Sequence, residues 1–384
     1  MFIFSYADLS GENAWEYGEI ARNVIDGKGY SLFYIEENDI KFEYDPEARP
    51  WPSAYMPPGY VALLVPFMAI GNDYAGMAAL FVFQGLLHLL TIIFIYNFTK
   101  ITLGNAAAIA SGGILALLPE FIYASSVAGT TAVYHLLAAA ILIALMFFDD
   151  KIPRRTAIII AIFFAVLIYF RSEAIVLFGI YILFLLIKNR PKIAIISAFI
   201  VFFAVLPWTA RNYLVFDEFV PMSNSGGLNF YRGHNPYFPG SWGDEEIRRE
   251  LINAAGPDFE LRMNDIYRDH AIRHIANDPL GEIPVSFEKI IHLWIYDPYD
   301  SRTRHPLYLW PWIIVLILSI YGIIKAPRKR RFMWIYIFLA YHTLLAVAFF
   351  AIPRYQTMMK FALLPFAGYG LTLLVDRFLR RQRK

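Results

Sequence analysis

The chain has 384 residues, 58% of them hydrophobic and only 17% charged, with a mean hydropathy of +0.46 and a formal net charge of +2. That balance excludes a soluble domain and leaves a polytopic membrane protein. Cysteine is absent, which excludes disulfides, thiolate nucleophiles and Cys-ligated metals.

Residues 1–73 carry 12 acidic against 4 basic side chains, a surface that repels nucleic acid. Met1–Ser5 (MFIFS) is too short to span and lacks the charged-then-apolar pattern of a signal peptide. It reads as the outer end of a preceding membrane helix, against the alternative of an N-terminus exported with the first span. After Ser10 as N-cap, Glu12–Asp26 has helical periodicity. Trp15, Ile20, Ala21, Val24 and Ile25 share one face, the acidic residues populate the other, and Gly27 is the expected stop. The plain reading is an interfacial helix with a solvated acidic face. Residues 50–60 (PWPSAYMPPGY) form a rigid aromatic segment suited to the headgroup zone, and Val61–Ile70 is expected to dip into the interface.

Nine apolar runs of about the length a bilayer requires follow near 74–98, 105–122, 126–148, 155–170, 173–188, 192–209, 306–325, 332–352 and 357–376. A helix preceding the sequence would make ten. Lys and Arg cluster in alternate connections: Lys151 to Arg155, Lys188 to Lys192, Lys325 to Arg331, and the tail from Arg377. Those clusters mark the cytoplasmic side. The predicted organisation is an outer loop over 1–73, six spans over 74–209, an outer loop over 210–305, and three spans with a basic cytoplasmic tail over 306–384.

In the second loop Arg211 falls at headgroup level, where a guanidinium either anchors the helix or binds phosphate. Val220–Gly243 is dense in Gly, Asn and aromatics and matches neither GxxxxGK[ST] nor GxGxxG. Its backbone amides could cradle a phosphate or a sugar. Residues 244–256 and 258–277 read as two amphipathic helices. His270 and His274 have metal-pair spacing but lack an evident third ligand, so no metal site is expected.

Ionisable groups at membrane depth face a cavity or each other. Arg171 and Glu173 stand between two apolar runs, either as a structural pair or with Arg171 meeting an anionic substrate. Arg354, Tyr355 and Lys360 form a similar outer cluster. His88, His135 and His342 read as polar bridges between helices. No span holds the paired carboxylates expected of a proton-driven pump.

Four stretches carry a family resemblance: EIARNVIDGKGYS (19–31), MPPGY (56–60), LPWTARNYLVFDEFVPMSNSGGLNFYRGHNP (206–236) and IPRYQTMMKFALLPFAGYGL (352–371). Together they resemble the GT-C glycosyltransferases of the family 39 type, which include protein mannosyltransferases and aminoarabinose transferases. The resemblance extends over nearly the whole chain. It implies an all-α GT-C-like bundle of membrane helices with outward-facing helical loops. It further implies inverting transfer of a sugar from a polyprenyl-phosphate donor at the outer face of a plasma membrane, to a protein, lipid or glycan acceptor.

In that family an Asp of the first outer loop is the catalytic base and basic residues hold the lipid phosphate. Removing the acceptor proton requires a carboxylate, and the leaving phosphate requires positive charge. Counted from Tyr17, the family's Asp position is Asn13 here, and an amide cannot act as base. Glu12 is the nearest substitute, with Glu16 and Asp8 as the other candidates. By the same carry-over Arg171, Arg211 and Arg354 are candidates for the phosphate, with Lys360 in reserve and Tyr355 flanking it. Asn13, Tyr17, Asn229, Tyr231 and Asn235 are candidates for sugar or acceptor. The resemblance adds no cofactor beyond the lipid-linked donor, and the carboxylates form no clear DxD for a divalent metal. Two rivals remain: a non-catalytic glycolipid-binding protein, which Asn13 favours, and a transporter or flippase.

Overall fold

The computed structural model describes residues 9, 14–147, 152–237, 245–327 and 329–382. It begins with α1 (Trp15–Ile25), a hairpin of β1 (Tyr34–Glu36) and β2 (Asp39–Lys41), and the apolar α2 (Pro58–Met68). The expected helix therefore starts, among the described residues, at Trp15 with Ala14 as an N-cap that makes no side-chain bond; Ser10, Glu12, Asn13 and Asp8 lie outside the described residues. Gly27 ends it as expected, at φ 76°, a left-handed value that costs glycine little. In the hairpin Tyr34 pairs with Lys41 in antiparallel register, and Glu37 and Asn38 both take positive φ, the geometry of a two-residue turn matched to strand twist.

The apolar runs form α3 (Asp73–Leu103), α4 (Asn105–Leu117) with α5 (Pro119–Ser125), α6 (Thr131–Phe147), α7 (Arg154–Phe170), α8 (Ala174–Ile187), α9 (Pro191–Phe216), α15 (Pro306–Lys325), α16 (Met333–Ala348) and α17 (Pro353–Lys360) leading into α18 (Leu364–Gln382). Among the described residues five helical segments are long and apolar enough to cross a membrane unaided: α3, α9, α15, α16 with its preceding turn, and α17 with α18. α4 and α5 together make a sixth, bent by 59° where Leu118 turns into Pro119. α6 and α8 are shorter apolar helices. Together they make this a multi-pass membrane protein.

Small residues let the helices approach. Gly368 of α18 lies against Ala107 and Ser111 of α4, while Gly370 and Gly322 close α18 on α15; a Cβ at any of the three would overlap a neighbour's backbone or hydroxyl oxygen. His135 bridges to the Thr357 carbonyl at 3.0 Å, and His342 to the Tyr134 hydroxyl at 2.8 Å, so both serve as interhelical ties.

Between α9 and α15 lie α10 (Gly226–Gly233), α11 (Glu245–Asn253), α12 (Phe259–Asn277), α13 (Glu282–Trp294) and the short α14 (Ser301–Arg304). The two amphipathic helices expected here are α11 and α12. α10 and the buried side of α12 join α1 and α2 in one apolar core that includes Tyr17, Tyr60, Tyr231, Phe259 and Tyr267. The two polar segments, far apart in sequence, thus fold as one cap against the membrane bundle. Glu260 ties them: its carboxylate accepts from the Ala54 amide at 2.8 Å.

Candidate active site

α1 is fixed from below by α2. Tyr17 packs edge-on against Tyr60 at 5.2 Å, and Gly59 of α2 sits so close to the Tyr169 carbonyl that a Cβ there would overlap it. This contact holds the first turn of α1 beside the break between α7 and α8, where Arg171 leaves the helix. Burial pushes the Tyr17 hydroxyl up to about 12 against the opposing charges of Arg171 and Arg354, so both guanidiniums lie within its electrostatic reach.

Arg171 is buried. Its Nε and Nη2 bond Glu173 Oε1 at 2.6 and 2.5 Å, and its guanidinium lies 5.0 Å from the centre of the Tyr355 ring. Tyr341 of α16 donates to the Glu173 carbonyl at 3.0 Å, securing the turn from the other side. Arg354, at the start of α17, is exposed, lies 5.8 Å from the same Tyr355 ring, and makes no hydrogen bond among the described residues. The structure therefore brings Arg171, Arg354, Tyr355 and Tyr17 together.

A third guanidinium joins them that the sequence reading passed over. Arg232, in the last turn of α10, lies 4.3 Å over Phe350, whose ring is 5.5 Å from Tyr355. Burial lowers the Arg232 pKa, while Tyr355, Tyr55 and Glu16 favour its charged form and Arg354 opposes it. The signal was present in FYRGHNP, where a lone Arg follows two aromatics, but the segment reads locally as a loop.

Glu16 stands in the first turn of α1, half-buried, within electrostatic reach of Tyr17, Tyr55 and Arg232. It is the one base candidate among the described residues. Glu19, on the same helix, is engaged elsewhere: Oε2 accepts from the Tyr44 amide at 2.6 Å and Oε1 from Arg22 at 2.9 Å.

The side chains of the remaining candidates are engaged in other contacts. Arg211 donates to the Ser53 and Tyr30 carbonyls at 2.6 and 3.1 Å and lies over the Trp208 ring, a wall-building role. Lys360 is buried at the far end of α17, paired with Glu120 at 2.9 Å and lying 4.2 Å over Trp312. Tyr231 is in the core against Tyr267. Asn235 closes the end of α10 by bonding the Tyr231 carbonyl and the Tyr237 amide at 2.8 Å each, and Asn229 bonds Ser225 at 3.4 Å.

Within the Gly-rich stretch Gly226–Gly233 is a helix, and residues 238–243 lie outside the described residues. Gly227 packs α10 on Asn264 of α12, whose side chain accepts its amide at 2.6 Å, and Gly233 abuts the Phe349 carbonyl so closely that any Cβ would overlap it. His270 and His274 engage different carboxylates, Glu250 at 3.1 Å and Glu282 at 3.6 Å. Among the described residues no group of three His, Asp or Glu side chains could hold a metal.

Behind Arg232 a buried polar network fixes its helix. His234 Nδ1 meets Glu282 at 2.7 Å, its Nε2 lies 3.1 Å from the Ala348 carbonyl, and Lys289 Nζ bonds the Val347 carbonyl at 3.1 Å. Burial brings Lys289 down to about 8, against the pull of Glu282. The 347–350 segment that carries Phe350 is thereby locked to α10.

A cap of short helices over a bundle of membrane helices has known counterparts. The chain superimposes on the archaeal oligosaccharyltransferase AglB from Archaeoglobus fulgidus, solved with an inhibitory peptide and a dolichol-phosphate. The TM-score is 0.55 at 12% identity, covering 97% of this chain and 48% of that one. An oligosaccharyltransferase from the same organism, tethered to an acceptor peptide, gives a TM-score of 0.56 at 12% identity, over 100% and 48% of the two chains. ArnT from Cupriavidus metallidurans bound to undecaprenyl phosphate is also similar, at 14% identity over 96% and 76% of the chains, with a TM-score of 0.42 too low to compare positions. The chain spans about half the length of AglB. It is a membrane protein with the GT-C glycosyltransferase fold. Within that class, residues 56–210 match the family described as dolichyl-phosphate-mannose-protein mannosyltransferase. No curated protein matches the chain by sequence.

Proposed function

We propose that this chain is a glycosyltransferase that moves a sugar from a polyprenyl-phosphate donor to an acceptor hydroxyl or amide, with inversion, at the outer face of the membrane. The observation that carries the proposal is the junction itself: Arg171, Arg232 and Arg354 converge around Tyr355 and Phe350, with Glu16 at the head of α1 within electrostatic reach of Arg232. Guanidiniums present paired donors to phosphate oxygens, and their setting between the cap and the bundle suits a phosphate whose lipid tail stays in the bilayer. Glu16 removes the acceptor proton as the acceptor atom attacks the anomeric carbon. The bond from that carbon to the phosphate oxygen breaks on the opposite face, and the arginines take up the charge that develops on the lipid phosphate.

Incubation of the purified chain with labelled polyprenyl-phosphate sugars and membrane acceptors tests this reading. Label should pass to an acceptor, and Arg232→Ala should abolish the transfer. Donor binding with no turnover in any variant would instead identify a glycolipid-binding protein, the reading that Asn13 favours.

A further inference from the structure

A groove of about 1050 Å³ opens between α4, α5 and α15, floored by Leu371 of α18. Its long walls are apolar: Ala110, Gly113 and Leu117 from α4, and Leu307, Ile314 and Leu318 from α15. None of the groups at the junction lines it. From Leu307 to Leu318 it runs along 11 residues of α15, about 16 Å at helical rise, close to half of a roughly 30 Å hydrocarbon core. Its depth is therefore one leaflet.

The mouth differs in chemistry from the walls. Arg302, Ser301, His305, Tyr123 and Tyr308 ring it at the level of the polar loops. The Arg302 guanidinium lies 4.6 Å over the Tyr123 ring, and Asp300 holds its Nε and Nη2, the latter at 2.7 Å. Nη1 makes no hydrogen bond among the described residues, so the side chain is held in place with a donor to spare. Arg304 and His305 follow on the same turn, both exposed. A fixed guanidinium above an apolar slot one leaflet deep has the anatomy of a lipid: phosphate at the top, acyl chain below.

We propose that this groove is a binding site for a membrane phospholipid, with its phosphate on Arg302 and an acyl chain between α4 and α15. A phospholipid fits better than a polyprenyl carrier, because a chain of many isoprenoid units exceeds a slot that ends at Leu318 and Leu371. Gly113 supplies an independent sign. A Cβ built there meets nothing within 4 Å, so α4 keeps a bare face toward the groove where its neighbour Gly112 already touches Ile92 and Tyr96. The site is separate from the proposed transfer chemistry and can be tested without it.

The test is native mass spectrometry of the purified protein incubated with dioleoyl-phosphatidylglycerol, with and without excess undecaprenyl phosphate. Wild type should retain one phospholipid. Gly113→Phe, whose Cβ meets nothing within 4 Å and whose ring takes up space in the groove, should weaken retention by about tenfold or more, equivalent to roughly 1.4 kcal/mol, and Arg302→Gln should weaken it as well. Equal retention by wild type and Gly113→Phe would overturn the site. Displacement of the phospholipid by undecaprenyl phosphate, itself blocked in Gly113→Phe, would overturn the assignment of the occupant and give the groove to the carrier lipid.

Discussion

Arg232 and Glu16 come from the two polar segments and lie within electrostatic reach of each other. Arg232 is set 4.3 Å over Phe350, and the aromatic face limits how its fork can turn. A lysine keeps the charge but loses the planar pair of donors, so Arg232→Lys is expected to lower kcat by about 100-fold, the scale of one lost transition-state donor, as read by steady-state transfer kinetics. Arg354 is exposed and makes no hydrogen bond among the described residues, which suits a group that meets donor on arrival. Arg354→Ala should therefore raise KM more than it lowers kcat.

What could be read residue by residue followed depth. Arg171, Arg354 and Tyr355 stand out because charge or aromatics interrupt apolar runs, and the fold brings them together. Arg232 does not stand out, because the two aromatics before it are a weak signal inside a polar segment; the α10 packing on α12 and on Phe349 creates its position. Arg211 and Lys360 met the same depth criterion, yet their donors go to backbone carbonyls and to Glu120. Depth locates a charge and leaves its partner unknown.

At the scale of elements, the segment most at odds with its sequence pattern is α10. Gly226, Gly227 and Gly233 suggest a flexible loop, whereas two of them are sites of close packing against Asn264 and Phe349. Gly233→Ala forces a methyl group onto a backbone oxygen, and the helix must shift together with Arg232. A loss of about 1–3 kcal/mol in stability is expected, with a fall in transfer that exceeds it; Gly113→Ala, in open space, should change neither.

The hairpin was equally hidden, although Phe33, Ile35, Ile40 and Phe42 alternate with polar residues around Asn38. Alternation over so short a stretch is easily lost beside long apolar runs.

Glu260 joins α12 to the 53–55 segment and carries a pH signature. Burial raises its pKa from 4.5 to about 7, opposed by Ser53, the Ala54 amide and Arg211. The native state then holds a proton that the unfolded chain releases between those values, so stability falls as pH rises from about 4.5 to 7 and levels off above. The full span is of order 3 kcal/mol. Thermal unfolding of Glu260→Gln should lack this slope, and a slope retained in the variant would assign it to another group.

At the scale of the whole molecule, composition and the spacing of apolar runs made the helical membrane bundle legible, since the bilayer sets span length and little else. How the two polar segments combine was not legible, because their shared core of Tyr17, Tyr60, Tyr231 and Phe259 joins residues some 200 positions apart. The orientation inferred from Lys and Arg clustering has a clean test, because the chain has no cysteine. A single Cys at exposed Glu47 should react with an impermeant maleimide in intact cells, and one at Arg380 should react only after lysis; the reverse pattern would invert the topology.

If the head of α1 supplies the base to a lipid-phosphate sugar transfer, Glu16 is the group whose loss should stop it. The most direct test of that role is transfer of labelled sugar from polyprenyl-phosphate by wild type, Glu16→Gln and Glu12→Gln, each checked for donor binding. Glu16→Gln should lower transfer by about 100-fold or more, the scale of a lost general base, with donor binding intact and Glu12→Gln near wild type. Full transfer by Glu16→Gln would contradict it.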